Sequence, residues 1–417
     1  MREMKDSGIE WIGEIPKEWK LSQVRYLFRI GRGRVIAQTE IEENGIYPVF
    51  SSQTKNNGCL GYINTYDFDL EQITWTTDGA NAGTVFLRSG KHNCTNVCGT
   101  LQPFIKELNL KYQKYALEHI AFYHKRADTN GYKIMNNEMA AIHTIIPSYR
   151  EQERIANYLD SKCSLIDNII DKQQAIIEKL KEYKLSLITE CVTKGLNPDV
   201  EMKDSGYEYI GLVPHTWEIC RLRNIGIPQN GISKGAEFFG EGYPFVSYGD
   251  IYRNYSLPQN VNGLIMSTEE EREKYSVKEN DIFFTRTSET IEEVGFSSIC
   301  EKTIPNATYA GFVIRVRPMN DKLTNGFAKY YFRGEHHRIF LAKEMNLVTR
   351  ASLGQDLLKS MPVLVPPKAE QDQIVDYLDN KCRLIDKNII EKQTIIAKLQ
   401  EYKKSLIYEV VTGKKEV

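Results

Sequence analysis

No stretch of the chain approaches the ~20 consecutive apolar residues that a bilayer-crossing helix needs, and MREMKDSGIEW at its start lacks the apolar core of a secretory leader. Cysteine is sparse: eight residues among 417, none in a CxxC pair. That excludes a disulfide framework and points to a reduced, cytoplasmic protein with no membrane partner. Excess charge is missing too. The net charge is −1, and Lys plus Arg against Asp plus Glu gives 18 against 16 over residues 1–150 and 20 against 21 over 200–369. A strongly basic domain is the usual electrostatic mark of nucleic-acid binding, so any basic surface here must come from local clustering.

Complete catalytic motifs are absent as well. There is no GxxxxGK[ST] phosphate loop. Asn197-Pro198-Asp199-Val200 lacks the second proline and aromatic of an amino-methyltransferase loop and reads as a linker. His92, Cys94 and Cys98 fall short of four ligands at a zinc spacing, so no metal is expected.

What is present is a duplication. Glu151–Thr193 returns as Glu370–Thr412 without a gap, with more than half of the positions identical. Leu159, Ile166, Leu180 and Leu187 lie on one seven-residue track, interrupted by Gln173. Ile169, Ile176 and Tyr183 are read as the adjacent track, so the seam is of coiled-coil type. The second copy carries Leu378, Ile385, Leu399 and Leu406, with Lys392 in place of Gln173 and Ile395 on the neighbouring track. Gln173 and Lys392 either set the register or lie where the helices splay. Ser148 and Glu151 form a capping box at the start, and Gly195 and Pro198 mark the end. Each rod is roughly 65 Å long at ~1.5 Å per residue, and two amphipathic rods in one chain are expected to pair with each other.

Met4–Trp19 returns in the same way as Met202–Trp217, with 10 of 16 positions identical. Its glycines and proline suggest an irregular docking segment rather than a helix or strand. The order is therefore docking segment, variable block, rod, linker, docking segment, variable block, rod. If both halves pack alike, the chain's end should lie near its start. The variable blocks, 20–147 and 218–366, share little identity but the same outline. Each has β-branched and aromatic runs, a helical segment (about Leu110–Lys125 and Leu323–Met345), then a short strand leading into its rod. The expected boundaries are 1–147 (docking segment 4–19), 148–195, 196–366 (docking segment 202–217) and 367–413.

Polar, Gly-containing loops are the candidates for contacting DNA. In the first block they are Arg29, Arg32 and Arg34, with glycines between the last arginines to permit close approach. Ser52, Gln53, Lys55, Asn56 and Asn57 follow, supplying the amides suited to adenine. Thr77, Asp78, Asn81, Lys91 and His92 complete the set. In the second they are Lys234, a turn at Ser247 and Tyr248 with Arg253, then Arg286, Thr287, Ser288 and Arg350. Read from the residues alone, a DNA-modifying enzyme acting by itself and a coiled-coil adaptor without DNA reading both stay open.

The repeated KDSG-x-E-x-IG-x-x-P-x-x-W and EQ-x-x-I-x-x-YLD-x-K segments resemble the DNA specificity subunit of type I restriction-modification systems over the whole chain. The resemblance implies a non-catalytic α+β protein. Its two target recognition domains would be separated by an antiparallel coiled coil of the two rods. It implies a bipartite double-stranded DNA target with an unspecified spacer, and as partners two methyltransferase subunits plus restriction subunits. AdoMet and ATP would be bound by those partners and by no residue of this chain. On that reading the rods act as a ruler holding half-sites about one turn apart, and four residues added to each would lengthen the spacer by about two base pairs.

Overall fold

The computed structural model describes residues 2–129, 131–288, 293–344 and 351–417. Contacts divide the chain into two compact units, residues 1–174 with 393–417, and residues 175–392. Each unit holds one α+β domain and one end of each long helix, Tyr149–Lys194 and Lys368–Val411.

In the first unit an antiparallel four-stranded sheet runs in the order Val85–Arg88, Gln72–Thr76, Cys98–Pro103, Phe28–Arg32. The second unit repeats it as Ser297–Ile299, Ile282–Thr285, Val313–Pro318, Gly226–Asn230. Beside each lies a second sheet, of four strands in the first unit and three in the second, containing one parallel pair, Tyr47–Phe50 with Lys91–Cys94 and Phe239–Val246 with Thr308–Tyr309. The central strands are short runs buried on both faces, Gln72–Thr76 and Ile282–Thr285 at every position, and dissimilar sequences of this kind produce one topology. The expected Leu323–Met345 helix is two helices, Asn325–Tyr331 and Glu335–Glu344, broken around Gly334; Met345 lies outside the described residues. Ser247 is not in a turn: it caps the helix Tyr248–Arg253, its hydroxyl accepting from the Asp250 amide.

Two expectations about the repeats need correction. The docking segments are not irregular, because each closes a small hairpin, Met4–Asp6 on Glu14–Pro16 and Met202–Asp204 on Leu212–Pro214. KDSG makes the turn: the Asp6 and Asp204 carboxylates each accept from the glycine amide two residues on at 2.9 Å. Those glycines adopt φ of +69° and +77°, which favours a residue without Cβ.

The seam also differs from the expected one. Leu159, Ile166, Leu187, Leu378, Ile385 and Leu406 are buried as expected, and Leu180 and Leu399 half-buried. The second track, however, lies four residues on, not three. It comprises Cys163, Ile170, Ile177, Lys184 and Cys191, repeated as Cys382, Ile389, Ile396, Lys403 and Val410. Ile176 is 38 % exposed, Tyr183 55 % and Ile395 39 %, whereas Ile177 is 1 % exposed; Ile169 only flanks the stripe. Alternating steps of four and three residues keep a stripe in line on a helix of 3.6 residues per turn.

Within each unit the two helical segments run antiparallel. In the second unit Lys184 meets both Asp386 oxygens at 2.7 Å, and the end of the first helix at Gly195 reaches Glu370 at the start of the second. In the first unit Lys403 meets both oxygens of Asp167 at 2.7 Å. Arg2 pairs with Glu151 there and lies 3.9 Å from Glu416, so the two ends of the chain are neighbours, as the duplication implies.

The repeated motif letters now have physical causes. The buried Trp19 and Trp217 indoles donate to Glu151 and Glu370 at 3.4 and 2.9 Å. The Gln152 and Gln371 amides donate to Pro147 and Pro366 carbonyls, and their oxygens accept from the Asn109 and Thr324 amides at the starts of the domain helices. Asp160 and Asp379 each accept from a domain tyrosine (Tyr115, Tyr330) and a domain lysine (Lys111, Lys329). These bonds pin each rod to its own domain.

Candidate nucleic-acid interface

Three chain segments converge at the same place in each domain. One follows the edge strand. In the first unit the Gly33 amide donates to Cys98, and in the second the Gly231 amide donates to Val313. A Cβ at either glycine would overlap backbone carbonyls, of Cys94 and Thr95 or of Tyr309 and Ala310. Gly33 is therefore needed where its own chain crosses itself, which corrects the reading that it makes room for DNA.

The second segment follows the central strand and the third returns from the domain helices. Their ladders match residue for residue. The Thr77 amide donates to Val97 and accepts at its carbonyl from Ile134; the Arg286 amide donates to Phe312 and its carbonyl accepts from Leu353. Asp78–Gly79 then pairs with Gly131–Lys133, and Thr287–Ser288 pairs with Ala351–Ser352.

Side chains gather around this frame in the first unit. Arg32 reaches Asp78 at 3.5 Å and donates to the Asn96 carbonyl. Asp78 also meets Lys133 at 3.1 Å, and Lys133 meets Asp128 at 3.0 Å. Partial burial raises the Asp78 carboxyl's pKa, but the Thr77 hydroxyl, Lys133 and Arg32 outweigh it and hold it below the usual range. Asn81 donates to the Ser52 carbonyl at 3.1 Å, bringing the loop around residues 51–58 alongside. That loop turns through Asn56 and Asn57, both left-handed, with Lys55 exposed; Gln53 donates to Cys59 within it. Arg88 holds it from beneath. Its guanidinium donates to the Asn57 carbonyl at 2.7 Å and lies 3.6 Å from the Phe50 ring centre, and burial lowers its pKa to about 10.

Other expected contacts lie elsewhere or face inward. Arg29 is exposed on the edge strand opposite Gln102, while Arg34 is tied to Glu40 and Asp67. Lys91 sits over the Tyr66 ring. His92 is fully buried between Gln72 and the Gly90 carbonyl, and Thr77 is buried with its hydroxyl on Asp78, so both support loops rather than project from them. Burial depresses the His92 pKa.

In the second unit Lys234 is closed onto Glu271 and the Met266 carbonyl. Its ammonium therefore supports the loop it belongs to instead of reaching outward. Ser247 is spent on its cap, and Tyr248 donates to the Glu293 carbonyl. Arg253 folds back towards Gly249. Arg286, Thr287 and Ser288 lie on the shared frame, with Arg286 donating to Gly311 and Ser288 to Glu293. Arg350 lies outside the described residues. Tyr132, Lys133, Arg126 and Phe312, none of them among the expected contacts, also lie at or beside the frame. The signal for the first three was the Asn-Gly dipeptide in the sequence HKRADTNGYK, a hairpin marker. Among the described residues no cluster of three or more His, Cys, Asp or Glu side chains is placed to hold a metal ion, and no helix is long and apolar enough to cross a membrane.

The chain is thus of the class of duplicated α+β proteins whose two halves share backbone ladders and differ in their loops. Comparison identifies the family. Residues 16–182 and 214–401 match the family model of the type I restriction modification DNA specificity domain, and the chain belongs to that family. A putative type I specificity subunit N-terminus from Mycoplasma pneumoniae is 41 % identical over 143 residues, 34 % of this chain and 76 % of that protein. The type I restriction enzyme MpnII specificity subunit of the same organism is 38 % identical over 163 residues, 38 % of this chain and 48 % of its own length. Several of these relatives are thus matched over only about half of their length. A chain solved in work on complex assembly and conformational transition of the type I system covers 96 % of this chain and 99 % of itself, with a TM-score of 0.69 and 13 % identity. That likeness concerns the fold: two pseudo-repeated α+β domains and an antiparallel pair of long helices.

Proposed function

We propose that the chain is the non-catalytic, DNA-reading subunit of a type I modification complex, each domain reading one half of a bipartite double-stranded target. The observation that carries this is the shared frame: two unlike sequences place different loops on the same backbone ladders, while the rods and the docking hairpins keep more than half of their residues. Constancy belongs to what partners hold; variation belongs to what reads. Two methyltransferase subunits would dock on the constant parts and supply AdoMet chemistry, with restriction subunits supplying ATP-driven cleavage. Phosphate clamping by those partners accounts for the near-neutral charge of this chain. The long helices serve as the spacer that sets the half-site interval.

Methylome sequencing of cells with and without the gene tests the reading. It predicts one bipartite methylated motif that vanishes with the gene. Methyl transfer to DNA by the purified chain with AdoMet alone would refute it. For the ruler, seven residues added to each rod preserve the four-three stripe better than four, and add ~10 Å. The spacer should lengthen by up to about three base pairs at ~3.4 Å each; an unchanged spacer would refute the ruler.

A further inference from the structure

Resting on that reading, we propose that the hairpin Arg126–Asp128/Gly131–Lys133 is a specificity element of the first domain that enters a DNA groove, with Tyr132 and Lys133 contacting the target. The hairpin is a two-stranded ribbon, Arg126 opposite Lys133 and Ala127 opposite Tyr132, and the major groove is wide enough for such a ribbon. It is not a stray excursion. Tyr132 pairs with Gly79 and Lys133 with Asp78, so it extends the convergence point of the frame by one hydrogen-bonded layer.

The second domain builds the same edge from unrelated residues, Thr287–Ser288 on Ala351–Ser352, which marks the position rather than the sequence as the shared feature. The chemistry of the ribbon suits a nucleic acid. Tyr132 is 44 % exposed, with the Lys125 ammonium 4.5 Å from its ring centre; Arg126 lies on the other face with Lys133, exposed and paired with Glu138 at 2.6 Å. One end is thus cationic and aromatic, the combination that pairs with phosphates and with base faces or thymine methyls.

Asp78 gives the element its selectivity. It holds Lys133 at 3.1 Å together with Asp128 at 3.0 Å, and Arg32 at 3.5 Å, so each cation reaches DNA only by exchanging a carboxylate for a phosphate or base edge. A cognate site that offers acceptors at both positions makes that exchange favourable, and a wrong site leaves the cations on the protein's own carboxylates. Residues far apart in the chain, 32, 78 and 133, thereby act at one point.

The test uses the chain in complex with its methyltransferase subunits in cells, wild type beside Tyr132→Ala, Tyr132→Phe and Lys133→Met. In Tyr132→Ala and Lys133→Met the methylated motif should relax or change, relative to wild type, at one or two positions of a single half-site. The inference expects a loss of about 5- to 150-fold per affected position, the range for one lost base contact. Tyr132→Phe should keep most of the discrimination. Should a variant fold poorly, a photo-crosslinking phenylalanine analogue at position 132 of the complex should crosslink to that half-site and not to the spacer. An unchanged motif in all three variants, or equal weakening on every sequence, would overturn the inference while leaving the proposed function standing. A wild type that methylates no bipartite motif would overturn both.

Discussion

Ile176 and Ile177 are adjacent, alike in chemistry and both repeated in the second helix, yet the fold treats them oppositely. Ile177 is 1 % exposed on the inner stripe and Ile176 is 38 % exposed beside it. Removing a fully buried isoleucine side chain costs about 2–5 kcal/mol, from lost transfer free energy plus an incompletely collapsed cavity. A cooperative unit of this size loses roughly 2–4 °C of Tm per kcal/mol. Ile177→Ala should therefore lower the melting temperature of the second unit by roughly 6–12 °C for a loss of about 3 kcal/mol. Ile176→Ala should cost clearly less, about 1 kcal/mol, since over a third of its surface already faces water and no enclosed cavity is left. Calorimetry of the two purified variants, with hydrogen exchange to assign the melting unit, measures the contrast. Equal losses, or a greater loss from Ile176→Ala, would refute the four-three seam and restore the three-residue track.

Gly33→Ala and Gly231→Ala should each destabilise their own unit by about 1–3 kcal/mol or more through overlap with carbonyl oxygens, read by urea unfolding; weakened DNA binding at unchanged stability would contradict this. His336 and His337 are completely buried beside Arg338, and burial lowers the pKa of His336 to about 3 and that of His337 well below the ordinary value, with help from its neighbours His336 and Arg338. Both rings stay neutral in the folded state while the unfolded chain protonates below pH ~6.5. Stability is therefore fully present above pH ~6.5 and falls as the pH drops towards 3, by up to about 1.4 kcal/mol per histidine per pH unit. A His336→Gln/His337→Gln variant should show a flatter acid limb in pH-dependent unfolding. Because Arg2 and Glu416 lie 3.9 Å apart, a permutant joining the ends and opened near Asn197 should keep its melting profile; failure of well-linked versions to fold would contradict the paired arrangement of the repeats.

Sequence alone determined the duplication, the rods and the strand-rich blocks, because these rest on periodicity and repetition, which are local or self-referential; the class of protein came from the resemblance of the repeated segments to a known family. Sequence also determined one seam track, since Leu159, Ile166, Leu180 and Leu187 are apolar in both copies. The second track needed coordinates. A helix offers neighbours at both three and four residues, and apolar side chains at 176 and 183 satisfied the wrong choice. The repeat held a clue, as Ile169 becomes Asn388 while Ile170 remains Ile389. Only the tertiary structure decided the site. Arg32, Asp78 and Lys133 are brought together by strand pairings between distant segments, and His92 is buried by the sheet it lies on. A loop's composition states which contacts it could make; the pairing of its flanking strands decides which side chains are consumed by the protein itself and which face outward.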